Sequence, residues 1–515
     1  MRPGVDLYID DFSLRRCGMD DFRPVARART DQVRRRIVQV KLGSKGRRVL
    51  ETSVVRRRTR SKKGKKHGGT AKITMVKHEF PFGAAMKSDC LGNDNCMNFF
   101  RKNFNHIVPE TGAKWHDEEP NKGDFTGSGD FILEASKKLQ YPMRAHCEFW
   151  ENDSVIQDWV KNLPRDGSEG SLQWAIWDRI KWYTDRYKEK WAIWDRVKWY
   201  TDRYKEKADI FDVANEMLHN AWYIDALPCK GGGPCMCDYG PACPNDMNVP
   251  NNIDVYSWMY RATSYYAPNR VMALNDFCLT HYCSKHFAMS SMVKEARHIK
   301  AATQMGAQGH LNRGRTICGF DLMERFDHAV AAANFKNAGG SLSQAQIMKL
   351  KKKIYITEHD VQDTDLSKRA DGYETMYRAA YASAGVAGIN IWGYRQGDEW
   401  RPDIAMVDHD YQLTLEPGQR IFGDKGLLHD EWNSSVKAAK IKGGAVKFKA
   451  FPGEYTIQVK GCRGRFTVPV GMGGMSVTVR NWKCKGRRTK RNLKLPQPGE
   501  GLVDAGTAAD VQVEV

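Results

Sequence analysis

ADIFDVANE, residues 208–216, is the stretch that decides the fold. Its centre, Ile210-Phe211-Asp212-Val213-Ala214, is apolar on both alternations except at Asp212, as in a strand covered on both faces. It stops on Asn215-Glu216, which places an amide and a carboxylate at the end of a buried strand. Seven similar runs accompany it: FPFGAAM (80–86), HIVPET (106–111), MRAHCEFW (143–150), RVMALNDF (270–277), TQMGAQGHL (303–311), KIYITEHD (353–360) and GINIWGY (388–394). Helix-like pieces such as SVIQDWVKNL (154–163) and DVYSWMYRATSYY (254–266) lie between them. Eight such units predict an α/β fold, a (β/α)8 TIM barrel over residues 80–432.

The chain has 515 residues, more than one ordinary core accommodates, so smaller companion domains are expected. A hydrophobic content of 41% with 28% charged residues suits a soluble globular protein. No apolar run approaches the roughly 20 residues needed to cross a bilayer, and no membrane partner is expected. The net charge of +20 is concentrated in RRRTRSKKGKK (56–66) and KCKGRRTKRNLK (483–494). These runs are read as solvated loops in preference to an acidic-polymer site or a nuclear address, so no nucleic-acid partner is expected. Thirteen cysteines point to an oxidising compartment, and hence to an extracellular protein. MRPGVDLYIDDFSL at the N-terminus lacks a signal-peptide layout; the expectation is that the chain begins inside a longer protein.

In a (β/α)8 barrel the active site lies at the C-terminal ends of the strands. Glu216 ends the fourth run and Glu358 stands near the end of the seventh. One such carboxylate is more often a salt-bridge partner or a helix cap. Two on strands of one barrel converge across its mouth, which is the arrangement glycosidic bond cleavage requires.

The motifs are similar, in order along the chain, to those of glycoside hydrolase family ten, the retaining endo-1,4-β-xylanases. FDVANE resembles the family's acid/base motif W-D-V-V-N-E, and YITEHD its nucleophile motif I-T-E-L-D. ETGAKWHDEEPNKGDF (110–125), RAHCEFW (144–150), LNDF (274–277), GAQGHL (306–311) and INIWGYRQGDEW (389–400) resemble its remaining blocks. The resemblance covers roughly residues 80–410. It implies that Glu216 is the general acid/base and Glu358 the nucleophile, with Glu216 raised in pKa and Glu358 ionised among donors. It further implies that Asn215 holds the 2-hydroxyl of the sugar being cleaved and Gln308 braces that region. His310 hydrogen-bonds Glu358, and Lys114 reaches the next sugar. Trp392 and Trp400 offer flat faces to sugar rings. His146, Trp150 and Asp360 support the site from behind; Trp115 and Trp150 are each read equally as core or as platform. Retention of configuration requires carboxyl groups about 5–5.5 Å apart. No cofactor or metal is implied.

Three departures from the family pattern stand out. Thr111 replaces an asparagine, Glu151 replaces a histidine and His359 replaces a leucine. All three are expected near the non-reducing-side subsites, where they leave the choice of backbone sugar open. The leading function is therefore a retaining endo-1,4-β-xylanase whose partner is xylan or a related β-1,4-linked polysaccharide. The alternatives are an endo-β-1,4-glucanase of the same family and a catalytically weak polysaccharide-binding protein.

WAIWDRIKWYTDRYKEK (174–190) is followed at once by WAIWDRVKWYTDRYKEK (191–207). The barrel needs one helix before its fourth strand, and the second copy is expected to supply it while the first extends outward. A duplicated exon or a faulty gene model is the competing explanation. CKGGGPCMCDYGPAC (229–243) is read as a disulfide-stiffened loop in preference to a zinc site. Cys90 with Cys96 and Cys278 with Cys283 are candidate short bridges. Residues 1–16 resemble the last strand of a carbohydrate-binding module. Strand-like residues 33–79 and 437–482 are expected to pair into a small accessory β-sandwich formed by the two flanks, and 483–515 to form a basic, then loose, tail.

Overall fold

A computed structural model describes residues 17–43, 69–188, 208–220, 222–227, 255–280, 288–312, 317–335, 342–460, 462–469 and 474–484. Eight parallel strands close into a barrel: β1 (Phe82–Met86), β2 (His106–Pro109), β3 (Met143–Ala145), β4 (Ala208–Asn215), β5 (Val271–Asp276), β6 (Gln304–Ala307), β7 (Lys353–Val361) and β8 (Val386–Ile391). Each pairs with its neighbours in sequence, and β8 returns to β1 through Ile389 opposite Phe82. All but the first residue of β7 is buried, because helices cover one face and the barrel interior the other. The eight apolar runs of the sequence are the eight barrel strands. Phe149–Trp150 and His310–Leu311 are short extensions that pair with the ends of β4 and β7.

The helix before β4 is Leu172–Lys188, so the first copy of the repeat packs on the barrel, contrary to the expectation. Its apolar side chains bury Ile176, Ile180 and Tyr183, and Trp177 meets Trp258 and Tyr266 of the helix Val255–Tyr266. Arg179, with Arg196 at the same place in the second copy, shows how the first copy is held. Its Nη1 donates to Glu118 at 2.9 Å in a fully buried ion pair, and its guanidinium lies 4.4 Å from the Tyr183 ring centre. Glu118 ends a short helix, Trp115–Glu118, that follows β2, and that contact fixes the longer helix against the barrel. The second copy, 191–207, lies outside the described residues.

The flanks form an eight-stranded sheet. Arg36–Lys41 and Thr70–His78 from the N-terminal side join Val436–Lys442, Ala445–Ala450, Gly453–Val459, Cys462–Val468, Met475–Thr478 and Arg480–Cys484. Strict alternation of buried and exposed residues in Cys462–Val468 marks a sheet with one wet face.

A helix that the sequence reading did not assign, Met19–Val33, packs on the helix Leu366–Ala382. Arg23 pairs with Glu374 at 2.8 Å, and Phe22 stands edge-on to Phe320. A Cβ on Gly319 would overlap the Phe22 ring, which is why glycine opens the helix there. Arg34 is buried beneath β8 and donates to the carbonyls of Tyr381, Ser383 and Val386, so it closes the end of the barrel opposite the strand C-termini. The disulfide Cys17–Cys318 ties the same segment to the barrel, and Cys90–Cys96 closes a short loop after β1, as its spacing suggested. Residues 1–16, the runs 56–66 and 485–494, the 229–243 cysteine loop and Cys283 lie outside the described residues. Among the described residues no helix is long and apolar enough to cross a membrane.

Candidate active site

β4 delivers Asn215 and Glu216 to the barrel mouth. Glu216 takes a left-handed backbone, φ 65°, which costs a non-glycine residue roughly 1–2 kcal/mol. The turn is held because its N–H donates to the Asn275 carbonyl at 2.8 Å. β7 delivers Glu358, whose N–H donates to the Gln308 carbonyl at 2.9 Å. Both carboxyl groups line one cleft of about 490 Å³, together with Glu110, Thr111, Lys114, His146, Trp150, Asn215, Gln308, His310, Trp392 and Trp400.

A chain of amides links the two acids. Asn275 Nδ2 donates to Glu358 Oε1 at 2.7 Å and to Asn215 Oδ1 at 2.8 Å. Gln308 Nε2 donates to Glu216 Oε1 at 3.1 Å and reaches Asn215 Oδ1 at 3.5 Å. Asn275 is oriented in turn by Thr357, whose hydroxyl donates to Asn275 Oδ1 at 2.6 Å. Among the described residues the Asn215 Nδ2 has no hydrogen-bond partner, so its donor end is left for a ligand.

The two carboxyls are driven in opposite directions. Burial raises Glu216 above the usual carboxylate range, and the charge of Glu358 adds to this; donors from Trp150 and Gln308 offset only part of it. Burial also pushes Glu358 upward, but a hydrogen bond from His310, the charges of His146 and His310, and the Asn275 donor outweigh it and bring Glu358 to about 2. His310 Nε2 lies 3.4 Å from Glu358 Oε2, and its Nδ1 lies 2.9 Å from Asp360 Oδ2. Burial opposes the charged ring, yet these two carboxylates raise His310 to about 9. Asp360 is held by the Trp400 indole N–H at 2.7 Å and by Arg401. His146 Nε2 stands 4.0 Å from Glu358 Oε1, while its Nδ1 is 3.1 Å from Asp212, itself paired with buried Arg144. The pattern is an acid shifted toward its protonated form beside an acid held ionised, which is what separates a proton donor from a nucleophile.

The remaining residues sort by what they touch. The ammonium of Lys114 sits 4.6 Å from the Trp150 ring centre, at the cleft wall. Trp392 is buried against Ala85 and Val108 with one edge on His146, and Trp400 is half exposed. Trp115 is core: it is 5% exposed, meets Phe149 and Trp159 edge-on and donates to Glu119. Trp150 is more than support, since its Nε1 donates to Glu216 Oε2 at 2.8 Å. Two of the three departures do not reach the cleft. Glu151 is buried and accepts from the Tyr223 N–H, and His359 is buried on the Gly309 carbonyl. Thr111 alone of the three lines the cleft. Asn275 and Glu110 were not anticipated as site residues. Asn275 was readable as the polar end of the apolar run LND, at the same place in β5 as Asn215 in β4. Burial brings Glu110 to about 7, against the nearby charge of Lys87 at 3.5 Å. No cluster of three or more metal-binding side chains occurs among the described residues.

A family model for glycosyl hydrolase family 10 matches residues 72–198 and 196–416, most of the chain. The chain belongs to glycosyl hydrolase family 10. The two matched stretches of this family 10 chain meet inside the second copy of the repeat. It is 24% identical over 458 residues to endo-1,4-beta-xylanase 2 of Arabidopsis thaliana, covering 89% of this chain and 35% of that protein. It is 23% identical over 435 residues to the anti-sigma-I factor RsgI6 of Acetivibrio thermocellus, covering 84% of this chain and 46% of that protein. The chain thus spans between a third and a half of the length of these relatives. Among solved structures, xylanase 10B of Thermotoga petrophila RKU-1 in complex with xylobiose superposes with a TM-score of 0.48 at 16% identity, covering 66% of this chain and 91% of that one.

Proposed function

We propose that this family 10 barrel is a retaining endo-1,4-β-xylanase. Glu216 donates its proton to the leaving glycosidic oxygen, and Glu358 attacks the anomeric carbon to form a glycosyl-enzyme. Glu216, then ionised, takes a proton from the water that releases the sugar. The observation that carries this reading is two carboxyls facing one cleft and linked through Asn275, Asn215 and Gln308, with pKa values shifted in opposite directions.

Asn215 presents Nδ2 to the 2-hydroxyl, a contact that strengthens as the ring approaches an oxocarbenium ion. Gln308 orients Asn215 and Glu216 together. His310 acts through Glu358, since both ring nitrogens already face carboxylates. Asp360 holds His310 on one oxygen of the nucleophile, and His146 faces the other. Lys114 and Trp150 form one wall, where Lys114 reaches the neighbouring sugar, and the faces of Trp392 and Trp400 receive sugar rings. Xylan is the substrate the family likeness favours, and Thr111 is the one altered residue placed to modify the choice of sugar. The disulfides Cys17–Cys318 and Cys90–Cys96 support an oxidising, extracellular setting.

Reducing-sugar release from xylan and from carboxymethylcellulose, by the parent and by Glu216→Ala and Glu358→Ala, tests the reading. The expected result is release from xylan by the parent and its loss in both variants. Binding of xylan without release by the parent would overturn it.

A further inference from the structure

The accessory sheet carries charge that the barrel chemistry does not use. All but two of its eight strands bear lysine or arginine, and Glu454 is the one acidic residue within them. Most of the cations lie on the wet face, as Arg463 and Arg465 do between buried Cys462, Gly464 and Phe466, while Lys77 is half-buried against the Tyr141 ring. The register aligns them across strands. Lys483 is opposite Arg463, Arg463 is opposite Gln458, and Gln458 is opposite Lys72. Lys437 extends the row, since it follows Val436 where that residue pairs with Ile73. With neighbouring strands about 4.8 Å apart, the row across five strands runs roughly 19 Å. Arg480 opposite Arg465 begins a second row beside it.

Like charges directly opposite each other destabilise a sheet. Arg463–Lys483 and Arg465–Arg480 are such pairs, and none of the six cations in the two rows has an ion-pair partner among the described residues. Anions from elsewhere would relieve this repulsion. The intervening positions are amides and hydroxyls, with exposed Gln458 and Thr467 beside the arginines. No aromatic ring of the described strands is exposed; Trp482 is half-buried and donates to the Leu42 carbonyl. Stacking on neutral sugars is therefore not what this face offers, whereas carboxylates and hydroxyls along a polymer fit it.

We propose that this sheet face binds a carboxylated polysaccharide and holds the barrel beside uronate-bearing glycan. The choice of a glycan over other polyanions rests on the proposed function of the barrel. Tethering raises the local concentration of substrate chains without touching the catalytic residues.

The test uses the full chain and polygalacturonate, a carboxylated polymer without the β-1,4-xylosyl links of the cleft's substrate. Binding is measured by fluorescence anisotropy at low and high salt, for the parent and for Lys437→Gln/Arg463→Gln/Arg465→Gln/Lys483→Gln. Four exposed contacts, each worth roughly twofold to threefold, predict binding about 30-fold weaker in the variant. The parent should lose affinity on raising the salt and on methyl-esterifying the polymer, and hydrolysis of a short neutral xylo-oligosaccharide should be unchanged in the variant. Equal binding by parent and variant would overturn the proposal. So would tighter binding of a DNA duplex at equal charge concentration, lost in the same variant. A parent that binds polygalacturonate but cleaves no xylan would overturn the proposed hydrolysis and leave this surface standing.

Discussion

Replacing His310 by asparagine tests how Glu358 stays ionised while buried. Glu358 is 6% exposed, and burial alone would raise it; the His310 hydrogen bond is the largest influence opposing this and helps bring it to about 2. His310, raised to about 9 by its two carboxylate neighbours despite burial, is an imidazolium at neutral pH. A hydrogen bond to a charged group contributes roughly 1.5–3 kcal/mol, and one pKa unit corresponds to about 1.4 kcal/mol. Removing it should therefore raise Glu358 by roughly 1–2 units, to about 3–4. The assay is kcat/KM for an aryl β-xylobioside between about pH 2.5 and pH 9, which reports groups of the free enzyme. The parent should hold its rate down to about pH 3, and the variant should lose half its rate near pH 3–4. Stability should move with it. The depressed pKa of Glu358 contributes stability present above its ordinary 4.5 and lost as pH falls through about 2. The raised pKa of His310 contributes stability present below its ordinary 6.5 and lost as pH rises through about 9. Urea midpoints of the parent should thus fall between pH 6.5 and 9, and this decline should shrink in the variant. An unmoved acid limb, with rate lost equally at every pH, would refute the electrostatic role of His310.

Further outcomes follow from other contacts. Trp150→Phe removes the 2.8 Å donor that lowers Glu216 and should shift the alkaline limb of the rate profile upward; an unmoved alkaline limb would sink the assignment. Asn275→Ala strips donors from Glu358 and Asn215 at once, and kcat on xylan should fall about 100-fold or more, as for loss of one preorganised donor. Arg179→Met removes the 2.9 Å partner of buried Glu118, leaving Arg186 at 3.5 Å, and should cost up to about 3–5 kcal/mol in urea unfolding. A negligible cost would mean that the first repeat copy is not the helix that closes the barrel. Cys17→Ser opens a bridge spanning 301 residues of sequence and should destabilise by about 2–5 kcal/mol, read as a fall in the urea midpoint.

The barrel was legible because each parallel strand is buried on both faces, so β4 and β7 appear as mainly apolar runs leading to carboxylates. Glu216 and Glu358 were legible for the same reason: a charge at the end of such a run has little to do in a core. The direction in which a side chain turns at the strand end was not legible. Glu151 and His359 sit one residue from cleft residues, yet each enters the packing behind the cleft, because alternate strand positions face opposite ways. Asn275 was missed because an amide among apolar residues signals burial without naming its partners. The repeat misled because its copies differ only at Ile180 and Val197, which gives local pattern no means of choosing between them. Tertiary contacts such as Arg179 with Glu118 hold the first copy on the barrel, but the second copy repeats that arginine as Arg196, so this contact does not itself choose between them. The helix Met19–Val33 carries much charge and one proline, so its few buried residues gave too weak a periodicity to assign.

The most direct measurement is peptide mapping by mass spectrometry after incubation with an activated 2-deoxy-2-fluoro-β-xylobioside, whose glycosyl-enzyme turns over slowly. The account predicts a single glycosyl adduct on Glu358, absent in Glu358→Ala. An adduct on another carboxylate, or xylan hydrolysis with no adduct formed, would contradict it.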